Sequence, residues 1–200
     1  MGYWSNNGIE GRGEFPPVLL DRFKGRALVL GTGRTIWEDL SRVNQKGCEV
    51  VAVNNMILHY KGKVTHACSL HPEEPELWKA LRPAYQATPC EIITHSQLAN
   101  GHKAKTDFTW YIDRGGGGTS GLFATMLALA LGYEQVTLCG IPMDAEGHFY
   151  DPPTQRDGCF KSDFVRNEWR ACSQLYFRGR VKSMSGFTRT LLGEPESWRP

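Results

Sequence analysis

The stretch Arg26-Ala-Leu-Val-Leu-Gly-Thr-Gly-Arg-Thr-Ile-Trp-Glu-Asp-Leu-Ser-Arg-Val43 sets the fold class. Its opening, Arg26 to Leu30, is the short apolar run of a buried strand, Gly31-Thr-Gly33 is a tight turn, and Thr35 to Val43 follows a helical pattern. The order strand, turn, helix recurs downstream. Glu49 to Val53 reads as a second strand ending at Asn54-Asn55, and Val64 to Cys68 as a third ending at Ser69-Leu-His71. Glu73 to Leu81 is a helix stopped by Pro83, and Cys90 to Thr94 is a fourth strand. Beyond a polar excursion at Asn100 to Asp107, Phe108 to Ile112 is extended, and Leu122 to Leu131 is the clearest helix, closed by Gly132. Gln135 to Cys139 is a fifth strand. A Pro-containing loop, Gly140 to Gly158, leads to a helix over Ser162 to Phe177 with an apolar stripe of Phe164, Val165, Trp169, Cys172, Leu175 and Tyr176. Arg180 to Met184 is a last strand.

Strands that alternate with helices and are apolar throughout belong to a parallel sheet covered on both faces. The expected fold is therefore α/β, a single Rossmann-like domain with a mostly parallel sheet flanked by helices. Residues 1–25 are expected to form an N-terminal arm or loop, and 26–200 a single nucleotide-binding α/β domain. A chain of 200 residues, 40% hydrophobic and 22% charged, has enough apolar area for one core without disulfide staples. Its net charge of +2, with dispersed basic residues, argues against nucleic acid as the main partner. The apolar run near Leu122 to Leu131 is far short of the roughly 20 residues of a membrane span. The six cysteines include no C-x-x-C spacing, so free thiols in a reducing, cytoplasmic setting are expected.

In an open parallel sheet, ligands lie beyond the carboxyl ends of the strands. Here those ends are Gly31-Thr-Gly33, Asn54-Asn55, Ser69 to His71, Thr94-His95 and Gly140 to Tyr150. Gly31 and Gly33 lack the third glycine of a dinucleotide fingerprint, Ile36 standing in its place, and no acidic residue ends the second strand, which excludes a plain NAD site. No Gly-Lys-Ser/Thr follows a glycine-rich turn, which excludes a P-loop. The run Gly115 to Gly118 before Thr119-Ser120 and a helix N-terminus suits a phosphate or nucleotide, although a flexible connector capped by Ser120 has the same sequence. Among histidines, His148, flanked by Asp144, Glu146, Tyr150 and Asp151, is the first candidate for proton transfer and His71 the second. His59, His66, His95 and His102 are expected to be surface or packing residues. No metal ligand is assigned, although Asp144 with Glu146 has the chemistry for magnesium.

These landmarks together resemble the bacterial sialyltransferases that use a CMP-activated sugar. In that family a strand leads into Gly-x-Gly-x-Ser, here Gly31-Thr-Gly-Arg-Thr35, and a second strand ends in an asparagine, here Asn54. A Thr-Ser-Gly then opens a helix ending Ala-Leu-Gly-Tyr, here Thr119-Ser-Gly121 and Ala130-Leu-Gly-Tyr133. The following strand ends in Ser-Gly-Ile-Asp, here Cys139-Gly-Ile-Pro142. The resemblance implies a cytidine nucleotide or nucleotide sugar held by Gly31, Thr32, Gly33, Asn54, Gly118, Thr119 and Ser120, with phosphates near Tyr150. It implies no obligatory cofactor. The family's asparagine after the first glycine is Thr32 here, its proline is Arg34, one of its phosphate-binding tyrosines is Asp144, and its downstream catalytic histidine has no counterpart between Asp157 and Cys172. The Gly147-His148 step also resembles the hydroxymethylpterin diphosphokinases, for which ATP and magnesium would be expected, and small phage-encoded norphogenetic-type proteins. A different class, a non-catalytic interaction protein, would instead need an exposed apolar patch, for instance around Trp4, Phe15 or Trp198. The acceptor is open, and a homo-oligomer is an open expectation.

Overall fold

The computed structural model describes residues 2–6, 9–13, 22–97, 106–112, 119–155 and 162–197. Nine strands form one sheet: β1 (Gly2–Asn6), β2 (Ile9–Gly13), β3 (Arg26–Leu30), β4 (Cys48–Val53), β5 (His66–Ser69), β6 (Ile93–Gln97), β7 (Phe108–Ile112), β8 (Gln135–Cys139) and β9 (Val181–Ser183). Their order is β1-β2-β7-β6-β5-β4-β3-β8-β9. From β7 to β9 every pairing is parallel. The helices are α1 (Ile36–Arg42), α2 (Met56–His59), α3 (Pro75–Leu81), α4 (Ser120–Leu131), α5 (Asp163–Cys172) and α6 (Gly186–Leu192).

The apolar strands bury both faces because side chains alternate across the sheet. Ala27, Val29, Val51, Val53, Val136 and Leu138 face a core completed by α4, Trp169 and Phe177. Leu28, Leu30, Val50 and Ala52 face the opposite core, with Ile36 and Leu40 of α1 and Met56 and Ile57 of α2. This is the expected α/β architecture, a parallel sheet flanked by helices.

Four local readings change. The segment expected to be an arm contributes β1 and β2, an antiparallel hairpin whose second strand pairs with β7. The third and fourth strands begin two or three residues later than their apolar runs suggested, at His66 and Ile93, which pair with each other in the ladder. Next, the helix after Ser162 widens into a π turn over Ser173–Phe177. The extra residue per turn rotates Leu175 to solvent and Phe177 inward, breaking the expected stripe, and Phe164 at its other end is 62% exposed. Finally, Thr119 and not Ser120 caps α4: its side chain accepts from the Leu122 amide, and Ser120 is already helical. Gly132 closes α4 with φ +107°, as expected.

A buried polar chain crosses β5, β6 and β7. The Trp110 indole N–H donates to His95 Nδ1 at 3.0 Å, so the His95 proton is on Nε2, which donates to His66 Nδ1 at 3.0 Å. Both histidines are packing residues, as expected, and burial pushes both below the ordinary histidine range, His66 to about 4. Cys48, Cys68, Cys90, Cys139 and Cys172 are free thiols. Among the described residues no helix is long and apolar enough to cross a membrane.

Candidate functional site

The chain runs outward from β3 through β4, β5 and β6 to β7, then returns to place β8 on the other side of β3. The helices that follow β3 and β8 lie on opposite faces of the sheet, α1 on one and α5 on the other, and a crevice opens at this switch point on the carboxyl edge. A cavity of about 560 Å3 occupies it, and Gly31, Thr32, Gly33, Asn54, His71, Thr119, Ser120 and His148 all line it. The candidates scattered over more than a hundred positions of sequence thus meet at one place. Gly115 to Gly118, Phe15, His102 and Trp198 lie outside the described residues, as do the side chain of Trp4 and with it any patch built on these aromatics.

Gly31 and Gly33 are small because another main chain runs against them. Their amides donate to the carbonyls of Cys139 and Gly140, both at 2.8 Å. A Cβ on Gly31 would stand 2.5 Å from the Gly140 oxygen, and one on Gly33 2.6 Å from Pro142 Cδ. The glycine pair thus fuses the two turns that form the crevice wall. Beneath them the buried Asp39 carboxylate accepts from the Gly140 amide (2.8 Å), the Ser185 hydroxyl (2.8 Å) and the Thr35 hydroxyl (3.0 Å). Burial raises its pKa above the usual carboxylate range, and these three bonds oppose the rise.

Asn54 ends β4 in the left-handed region at φ +51°, a conformation asparagine tolerates better than most residues. Ser69 donates to its Oδ1 at 3.0 Å, which leaves the Nδ2 donors as the edge available to a ligand's acceptor. The Ser69 hydroxyl also accepts from the His71 amide at 3.0 Å. Ser120, in the first turn of α4, accepts from the Leu70 amide at 3.3 Å and joins the α4 N-terminus to the end of β5. That N-terminus places main-chain donors and the positive end of the helix dipole at the crevice floor.

His148 is held by the opposite wall. Its Nδ1 is 2.7 Å from Thr32 Oγ1, its amide donates to Asp151 Oδ2 at 2.8 Å, and it bridges Gly33 in antiparallel fashion. Tyr150 is not on the cavity lining. Its ring stacks on His148 at 5.1 Å, and burial pushes its pKa up. It adjoins the site as part of an aromatic rim with Trp37, His59, Tyr85 and Phe149. Asp144 lines the cavity, but its Oδ1 accepts the Glu146 amide at 3.0 Å. Among the described residues no three His, Cys, Asp or Glu side chains gather as a metal cage.

Sequence reasoning missed Val53, Ser162, Phe164 and Val165, which also line the cavity, while Leu70, Pro142 and Met143 fall within the strand-end stretches it named without being singled out. Met143 carried no sequence signal, since its φ of +52° follows from the turn and not from its residue type. Phe164 was visible only as one member of an apolar stripe.

Fold and cleft together define a Rossmann-like α/β protein with a cavity at the switch point of its sheet. Solved structures with a similar fold are bacterial sialyltransferases. The sialyltransferase CST-II in complex with a trisaccharide acceptor and CMP is 15% identical over 84% of this chain and 85% of that one, with a TM-score of 0.58. CstII from Campylobacter jejuni with cytidine-5'-monophosphate is 16% identical over 84% of each chain, with a TM-score of 0.54. The monofunctional α-2,3-sialyltransferase Cst-I from Campylobacter jejuni is 12% identical over 90% of this chain and 83% of that one, with a TM-score of 0.57. No protein-family model and no curated protein matches the chain.

Proposed function

We propose that this chain is a glycosyltransferase-like enzyme that takes a CMP-type nucleotide sugar as donor. One observation carries the reading: Thr32, Asn54, Ser120 and His148 converge on a single cavity, at the switch point of a fold shared with enzymes solved with CMP. In this reading Asn54 and Ser120 hold the nucleotide and the α4 N-terminus faces its phosphate. An acceptor hydroxyl oxygen attacks the anomeric carbon of the donor, the bond from that carbon to the phosphate oxygen breaks, and CMP departs with the electron pair. The His148 imidazole takes the proton from the attacking hydroxyl, and main-chain N–H donors at the α4 N-terminus offset the charge on the leaving phosphate. His71, at the exposed mouth, is the alternative base. The cysteines among the described residues form no disulfide, which suits a cytoplasmic setting.

The test is a thermal-shift panel of CMP, CDP, UDP, ATP and GTP at millimolar concentration, followed by turnover of a CMP-sugar with and without EDTA. Stabilisation by CMP and EDTA-resistant release of CMP support the reading. ATP-dependent transfer to a pterin, abolished by EDTA, would replace it with the diphosphokinase alternative, in which Asp144 would share magnesium with the nucleotide phosphates. No stabilisation by any nucleotide would make the chain an interaction protein without this chemistry.

A further inference from the structure

The loop that carries His148 and Tyr150 is strapped to the turn after β3 by one side chain. Arg34 Nε donates to the carbonyl of Glu146, and Arg34 Nη2 donates to the carbonyls of Asp151 at 3.2 Å and Pro152 at 2.6 Å. All three acceptors are main-chain oxygens at the two ends of one short loop. The middle of that loop is knitted to the same turn: the Phe149 amide donates to the Thr32 carbonyl at 2.9 Å, and the Asp151 amide folds back on the His148 carbonyl at 3.1 Å. Gly147, at φ +77°, makes the bend between, and a Cβ there would meet Asp151 Oδ2 at 3.1 Å.

We infer that Arg34 is the positioning residue of this loop, holding His148 and Tyr150 in place against Thr32 before any ligand arrives. A guanidinium suits the task because its donors are set in a rigid planar fork, so two of its nitrogens reach carbonyls several residues apart at once. A lysine ammonium on a flexible stem has no such fixed span. The same fork makes Arg34 a poor partner for a phosphate, since engaging one would release the loop. The cation nearest the glycine turn therefore acts on the protein, and the negative charge of a ligand falls to the α4 N-terminus. This role deepens the reading of His148 as proton acceptor, and its catalytic consequence rests on that reading. The strap itself does not.

Two variants, Arg34→Lys and Arg34→Met, separate these points. In the nucleotide-free protein, amide hydrogen exchange at His148, Phe149 and Asp151 is expected to speed up by roughly tenfold or more in both variants, while Leu138 in β8 keeps its protection. The His148 ring 15N resonances are expected to move toward those of a free histidine. Retained protection in Arg34→Met would overturn the strap, and full restoration by lysine would reduce it to charge alone, which overturns the fork. Should Arg34→Met also loosen Leu138, the milder lysine variant decides. In turnover with a CMP-sugar, kcat is expected to fall about tenfold or more with donor KM changed less than about threefold, since misplacement acts on the reacting geometry. A change in KM alone would overturn the catalytic consequence. If the wild type turns over no nucleotide sugar, the proposed function fails, and the exchange measurement still decides the strap.

Discussion

Thr32 Oγ1 and His148 Nδ1 stand 2.7 Å apart although 116 positions separate them in the chain. One belongs to the turn after β3 and the other to the loop after β8, so the contact closes the crevice wall from both sides. It also orients the imidazole, the first requirement of a group meant to move a proton.

The first prediction follows from that contact. His148→Ala is expected to lower kcat for transfer by roughly 100-fold or more, the usual range for removing a general base. Thr32→Val keeps the shape of the side chain but loses the hydroxyl, and it is expected to lower kcat by about fivefold, the equivalent of one hydrogen bond. Steady-state kinetics over pH 5 to 9 check both. A His148→Ala enzyme with wild-type kcat would move the role to His71.

Gly31→Ala and Gly33→Ala are expected to destabilise the fold by about 1–3 kcal/mol each, the range for overpacking, because the added methyl meets main chain and a proline ring instead of a flexible side chain. Gly25→Ala is the control: nothing lies within 4 Å of its Cβ, although its φ of +78° carries a backbone cost. Urea midpoints measure the difference. Equal midpoints for Gly31→Ala and wild type would contradict the close approach of the turns after β3 and β8.

Asn54→Val places a β-branched residue at φ +51° and is expected to cost about 1–3 kcal/mol of stability. Asn54→Gly relieves the backbone and removes only the carboxamide. In the proposed function it therefore weakens CMP binding while leaving the melting temperature within a few degrees of wild type. Calorimetric titration of CMP into Asn54→Gly checks it, and unchanged affinity would remove Asn54 from the nucleotide site.

Stability is expected to fall with acid through the His66 and His95 pair. Burial holds His66 neutral with its pKa lowered to about 4, against 6.5 for an ordinary histidine. The unfolded chain therefore binds more protons between those values, so the stabilisation is complete above pH 6.5 and is lost as pH falls toward 4. For His66 alone the full effect is on the order of 3 kcal/mol. Urea midpoints from pH 7 to pH 4 report it, and a flat profile would contradict a buried neutral pair.

The parallel sheet was legible because Arg26 to Leu30, Glu49 to Val53 and Gln135 to Cys139 are apolar on both faces, a pattern only a covered strand sustains. The cavity was legible at Asn54, the polar residue that follows β4, and at Thr119-Ser120, where a capping residue opens α4. Register was not legible: β5 and β6 begin two or three residues into their apolar runs, at His66 and Ile93, which pair with each other. The hairpin of β1 and β2 was hidden by its glycines, which weaken the strand signal. Phe164 and Leu175 shared one periodic stripe with buried residues, and only the π turn and the helix start at the crevice mouth separate them. Arg34 carried no motif at all, since three carbonyl acceptors leave no trace in a sequence.

All twelve residues of α4 are buried, including Ser120 and Gly121 at the end that lines the cavity. A helix with no solvent side has no position at which a side chain can change without repacking a neighbour. The crevice floor is thus made of the same material as the interior, and its geometry cannot drift while the fold persists. The rim is different, because Tyr150 is 47% and Phe164 62% exposed. New ligand preferences in proteins built this way would be written at the rim, over a floor that the core holds constant.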